Sequence, residues 1–157
     1  MNTDNAAHEL KLERVMDGTA AQIWRAWTEP ELMKQWFCPR PWRVTRAEID
    51  VRAGGASLIV MQGPDSPEMP NRGVYLEVVP NRRLVFTDAF TSAWVPSEKP
   101  FMTGIVELEA QGGNKVRYTA IARHWTAEDR ATHEKMGFHE GWGAAADQLQ
   151  DLIRTLK

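Results

Sequence analysis

The sequence predicts an α+β domain in which a curled antiparallel sheet of about seven strands is closed by one long C-terminal amphipathic helix. Three observations predict it. Between residues 42 and 124, strand-like stretches are separated by short turn-forming runs, and such spacing fits a meander because parallel crossovers need about a dozen residues or more. The block 126–156 gathers its apolar residues on one helical face. An antiparallel sheet of this kind is apolar on one side only and needs a cover, which that stripe supplies.

In order along the chain, residues 1–7 are small and polar and read as a mobile arm, with a single domain from residue 8 to residue 157. Residues 8–16 alternate Leu10, Leu12, Arg14 and Met16 against Glu9, Lys11, Glu13 and Val15, the period of a strand. Asp17-Gly18 makes a turn and Thr19 caps a helix over 20–28, whose stripe is Ile23, Trp24 and Trp27. Glu29-Pro30 interrupts it, and Pro30 opens a second short helix over 30–36 with Leu32, Met33 and Trp36 on its apolar side. Strands follow over 42–51, 56–62, 73–79, 83–90, 101–110 and 115–124. The runs 66–72 and 91–100 are longer than hairpins need and mark rims or lids. In the last block Thr126 is the cap, and Ala131, Phe138, Trp142, Ala145, Leu149, Leu152, Ile153 and Leu156 share a face. As one straight helix these residues would reach about 46 Å. Gly137, Gly141 and Gly143 lie inside it, and each either bends it or lets something approach closely.

Composition excludes several functions. The 157 residues carry a net charge of −2 with no long like-charge runs, which argues against a nucleic-acid or anionic-membrane binder. The single cysteine, Cys38, forms no intramolecular disulfide and no multi-cysteine zinc site, and with no base beside it reads as inert. The longest apolar run covers only residues 58–61, and the first ten residues have neither a basic start nor an apolar stretch. A cytoplasmic protein without cofactor is the expectation, and the sequence leaves homodimerisation open. His133 and His139 stand about 240° apart on a helix, so no zinc pair forms and both read as surface histidines.

Seven tryptophans are the unusual feature. So much aromatic bulk in a small domain suggests a wide apolar interior or an aromatic-lined cleft. Trp24, Trp27 and Trp36 come from the first helices, Phe86, Phe90 and Trp94 from the central strand and its loop, and Phe138 and Trp142 from the last helix beside Gly141. Alternation in the last strand sends His124 inward at the end of the core-facing row, and the same logic sends Asp88 inward with Leu84, Phe86 and Phe90. An inward carboxylate needs a partner, so Asp88 and His124 are expected as polar fixtures of an otherwise apolar pocket.

Several runs together carry a resemblance. Thr19 to Leu32 followed by Trp36, then Asp50-Val51-Arg52-Ala53-Gly54-Gly55, Met61-Gln62-Gly63-Pro64-Asp65, Gly73 with Pro80 to Thr87, and Met136 to Trp142 resemble the Hsp90-ATPase-activator-like (AHSA1-like) branch of the START/Bet v 1-like (SRPBCC) superfamily. The similarity runs from about His8 to the C-terminus and departs at Asn114-Lys115-Val116, where the family usually has a threonine. It implies a helix-grip fold with a ligand cavity beneath the C-terminal helix. The superfamily includes carriers, polyketide aromatase/cyclases and Hsp90 co-chaperone domains, so fold alone does not choose among them. The leading expectation is binding of a small hydrophobic, aromatic or lipid-like molecule without chemistry on it. The alternatives are a cyclase/dehydratase-type enzyme using His124 or Asp88, and a co-chaperone contact. The co-chaperone reading ranks lower because no residues remain here for a separate N-terminal Hsp90-binding domain.

Overall fold

Thr19 starts the first long helix by satisfying its free amides. Its hydroxyl accepts from the Gln22 amide at 3.1 Å while the Gln22 side chain accepts from the Thr19 amide at 2.9 Å, a reciprocal box that closes two otherwise orphaned donors. The structure, a computed structural model, describes residues 5–156. Its elements are α1 (Asn5–His8), β1 (Glu9–Asp17), α2 (Ala20–Thr28), α3 (Pro30–Met33), β2 (Arg43–Ile49), β3 (Ala56–Gln62), β4 (Met69–Val79), β5 (Arg83–Thr87), β6 (Phe90–Ser92), β7 (Val95–Pro96), β8 (Thr103–Gly112), β9 (Lys115–Arg123), α4 (Ala127–Lys135) and α5 (Phe138–Ile153). Of the expected N-terminal arm, residues 1–4 lie outside the described residues, and Asn5–His8 form a helical turn.

Seven strands form one antiparallel sheet in the order β1-β9-β8-β5-β4-β3-β2, so the first strand closes against the last. Register fixes which side chains face inward. Leu10 pairs with Ala122, Leu12 with Ala120, Arg14 with Tyr118 and Met16 with Val116, and apart from Arg14 this row packs into the core. On β5, Leu84 and Phe86 continue the same face opposite Val106 and Gly104. A Cβ at Gly104 would lie 2.4 Å from the Phe86 ring, so any larger residue there would force that ring to move.

The cover is α5. Ala145, Ala146, Leu149, Leu152 and Ile153 are buried along one side, and the helix packs on β1 and α2. Polar stitches hold its angle. Gln148 donates to the carbonyls of Trp36 and Cys38, both at 2.9 Å, and Gln150 accepts from the Asp17 amide and donates to its carbonyl at 2.8 and 2.9 Å. Gly143 lets the Arg14 guanidinium approach to where a Cβ would meet it at 3.1 Å, and Arg14 then reaches Asp147 at 2.8 Å. Among the described residues, no helix is long and apolar enough to cross a membrane.

The single helix expected over 126–156 is two. Gly137 has φ +97°, in the left-handed region, and separates α4 from α5. Ala131, placed on the buried face of the continuous helix, is exposed, and His133 is buried instead. The strand expected over 83–90 also ends early, at Thr87. Phe90 belongs to the separate β6–β7 ribbon, whose β6 lies along β4. The expected alternation therefore stops short of Asp88 and Phe90.

Gly137→Ala is expected to destabilise the protein by about 1–2 kcal/mol, the cost of a Cβ in left-handed backbone. The added Cβ would meet nothing closer than 3.7 Å, so strain alone sets the loss. A urea-denaturation comparison with the parent checks it.

Candidate functional site

The aromatic residues singled out by sequence form separate groups. In the first, α2, the turns after α3 and β5 bring Trp27, Trp36, Phe37 and Phe86 together, with Trp27 ring-to-ring distances of 5.0 Å to Trp36 and 5.7 Å to both Phe37 and Phe86. Trp36 donates its indole N–H to the Ala26 carbonyl at 3.0 Å. Trp27 does not do the equivalent. It is only 6% exposed, and its Nε1 lies beside the Tyr118 hydroxyl in a close contact that falls short of a well-formed hydrogen bond. Burial pushes the phenols of Tyr75 and Tyr118 well above their ordinary pKa, so both stay protonated on the inner face. Trp24 is half-buried against this core.

The second group stands where β9 ends and α4 meets α5. His124, 1% exposed, is 4.8 Å from the Phe101 ring, and His133 lies 5.0 Å from Phe101, 5.3 Å from Phe138 and 6.0 Å from Trp142, ring to ring. His124 Nδ1 bonds the Phe101 carbonyl at 2.9 Å, and its Nε2 bonds His133 Nδ1 at 2.9 Å. Burial, with a smaller contribution from His124, lowers the His133 pKa to about 4. Trp142, half-buried, packs against both the main core and the smaller Leu10–Ala122–Phe138 cluster, and so joins the two.

Asp88 and His124 do not pair. The Asp88 carboxylate accepts from the amides of Phe101 and Met102 at 2.8 and 3.1 Å, while His124 holds the carbonyl of the same Phe101. Both are polar fixtures, but of the chain between β7 and β8. Phe90 and Trp94 meet edge to face at 5.4 Å in the ribbon, and Trp94 is 62% exposed, so these two rings stand apart from the inner face. A Cβ on Gly141 would meet nothing within 4 Å, so no close contact requires that glycine. The sequence reading missed His133, because it treated 126–156 as an unbroken helix and judged the histidine only against His139. Cys38 is buried, its thiol pushed up to about 11 by desolvation, and thus a neutral packing group near pH 7.

Concavities on the described residues include two that hold none of the predicted site residues. One of about 510 Å³ lies on the sheet face turned away from α5, among Lys11, Glu13, Arg83, Glu107 and Arg117. The other, about 340 Å³, lies where Thr91 faces the ends of β2 and β3.

A curled sheet gripped by a C-terminal helix, with an aromatic-rich inner face, defines a helix-grip protein of the START/Bet v 1-like class. Residues 17–154 match the family model described as activator of Hsp90 ATPase homolog 1-like protein, and the chain belongs to that family. A crystal structure of a Nitrosomonas europaea protein is similar at 41% identity and a TM-score of 0.91, covering 95% of this chain and 96% of that one. Solved proteins of Arthrobacter aurescens (22% identity, TM-score 0.82, covering 97% and 89%) and Rhodobacter sphaeroides (20%, 0.82, 96% and 95%) share the fold. No curated protein matches the chain.

Since the folded His133 pKa lies near 4, below the ordinary 6.5, the unfolded chain binds the proton more readily. The His133 contribution to stability is therefore complete above about pH 6.5, falls as pH drops, and levels off below about pH 4. Denaturation midpoints across this range should decline less steeply in His133→Phe than in the parent.

Proposed function

We propose that the protein binds a small apolar molecule, aromatic or lipid-like, on the concave side of the sheet and does no chemistry on it. The observation that carries this reading is the aromatic-rich inner face, where Trp27, Trp36, Phe37 and Phe86 meet beside buried, protonated phenols. An apolar guest gains contacts against such rings without needing a charged partner. Half-buried Ala47, Ile49, Val51 and Ile59 extend the apolar surface beyond the strands that α5 packs on, and burial of such a strip is a non-directional gain for an apolar guest.

An enzymatic role for Asp88 or His124 gains little support from their contacts. The Asp88 carboxylate is held through Oδ1 by two backbone amides, and both nitrogens of His124 are engaged inside the fold. A second reading, docking to a chaperone ATPase, draws on the family description and on exposed Trp94 and Val95, 62% and 51% accessible. An unchanged ATPase rate on adding the protein to such a chaperone rejects it.

Native mass spectrometry of freshly purified protein is expected to reveal a co-purified small molecule, and naphthalene should quench tryptophan fluorescence saturably. Trp142→Ala should weaken naphthalene binding about tenfold and, as a half-buried ring, lower stability by about 2 kcal/mol. Linear, unsaturable quenching in the parent, with no co-purified molecule, rejects the reading.

A further inference from the structure

The two histidines form a chain whose hydrogen-bond direction can be worked out. A carbonyl oxygen only accepts, so the 2.9 Å contact with Phe101 places a proton on His124 Nδ1. In the neutral ring, His124 Nε2 is then bare and accepts. The 2.9 Å contact with His133 is therefore made by a proton on His133 Nδ1. Neutral His133 consequently has its lone pair on Nε2, the nitrogen directed away from His124. That atom has no hydrogen-bond partner among the described residues and, although the residue is only 9% exposed, the nitrogen itself is not fully enclosed and can be reached from outside. The ring is walled by Phe101, Phe138 and Trp142.

We propose that the Phe101–His124–His133 chain presents the Nε2 of His133 as a fixed acceptor for a guest's hydroxyl, which makes the ligand class an apolar ring carrying a weakly acidic O–H. The inference rests on the apolar-guest reading above and adds the polar group that such a guest must bear. Several features support it. Each bond in a donor–acceptor chain polarises the next, so the outer nitrogen accepts more strongly than an isolated imidazole. The depressed pKa of about 4 keeps His133 neutral, and its acceptor free, near pH 7. On α4 and α5, Glu134 is engaged at the surface, 3.4 Å from Arg130 and 3.6 Å from His139, while Asp129, one turn before His133, has its carboxylate in no ion pair or hydrogen bond among the described residues. On β1 and β9, Glu9 holds Arg123 at 2.6 Å. The apolar body of the guest would lie against Trp142, which joins this corner to the main core.

Nitrogen NMR of the isotope-labelled full chain at neutral pH tests the chain without any variant. The expected result is a proton on Nδ1 of both His124 and His133, with both Nε2 atoms bare. A proton found on His133 Nε2 overturns the proposal. Naphthol and its methyl ether, methoxynaphthalene, then test the ligand class, since the ether cannot donate. Naphthol should bind the parent about five- to tenfold more tightly and shift the His133 Nε2 resonance. In His133→Phe its affinity should fall to that of the ether, whose own binding is little changed. Equal affinities in the parent overturn the acceptor role and leave the apolar-guest reading standing. No saturable binding of either probe overturns both.

Discussion

The concave face of the sheet is apolar and has to be covered, and the seating of α5 on β1 and α2 governs the rest of the molecule. Leu149 and Ile153 are buried to 0% and 1% exposure in that contact, and fully burying an aliphatic side chain is worth about 1.5–3 kcal/mol. Burial is non-directional and would tolerate a helix sliding along its axis. The glutamines remove that freedom. Gln148 grips two carbonyls after α3, Gln150 grips both backbone groups of Asp17, and Gln22 reaches the Leu156 carbonyl at 3.0 Å. Residues on α5 are therefore set against those on α2 and β1, which is why Trp142 can touch both the main core and the corner around Phe138.

That corner is organised outward from the backbone. Asp88 takes the amide of Phe101, and His124 takes its carbonyl. Both faces of one peptide segment are thus fixed by side chains from the ends of β5 and β9. The backbone amide of His124 in turn donates to the His8 carbonyl at 2.8 Å, tying the end of β9 to the start of β1. The proton positions on the imidazoles follow from this frame, not from either histidine alone.

Much of this was legible in the sequence. Strand alternation put Leu10, Leu12, Met16, Tyr118 and His124 inward, and the cap at Thr19 and the break at Pro30 set α2 and α3, because these signals are local. Arg14 broke the alternation for a reason no local pattern carries. It sits beneath α5 at Gly143, and the glycine and the arginine explain each other only in three dimensions. Gly137 was visible as a weak point, but a glycine's cost in a helix does not say whether the helix bends or ends. Its left-handed conformation turned α4 and so brought His133 onto His124. Asp88 was rightly read as needing a partner, and the partner was backbone, which sequence spacing cannot identify.

Inside this fold, polar recognition has to be done by neutral groups. The ion pairs lie at the surface, including Arg14 with Asp147, Arg83 with Glu77 and Glu107, and Lys115 with Asp17. The inner face instead carries Trp27, phenols held protonated by burial, and a histidine pair in which His133 is neutral near pH 7. Burying an unpaired charge among these rings would cost several kcal/mol, so a charged guest would need a counter-ion there. Among the described residues, His124 and His133 meet without a third carboxylate, thiol or imidazole that could complete a metal site. A neutral ring with a single hydroxyl avoids the desolvation cost of a charge and can use both the aromatic walls and the bare nitrogen. The specificity of the proposed site then comes from hydrogen-bond direction, fixed by one backbone carbonyl, and not from electrostatic attraction.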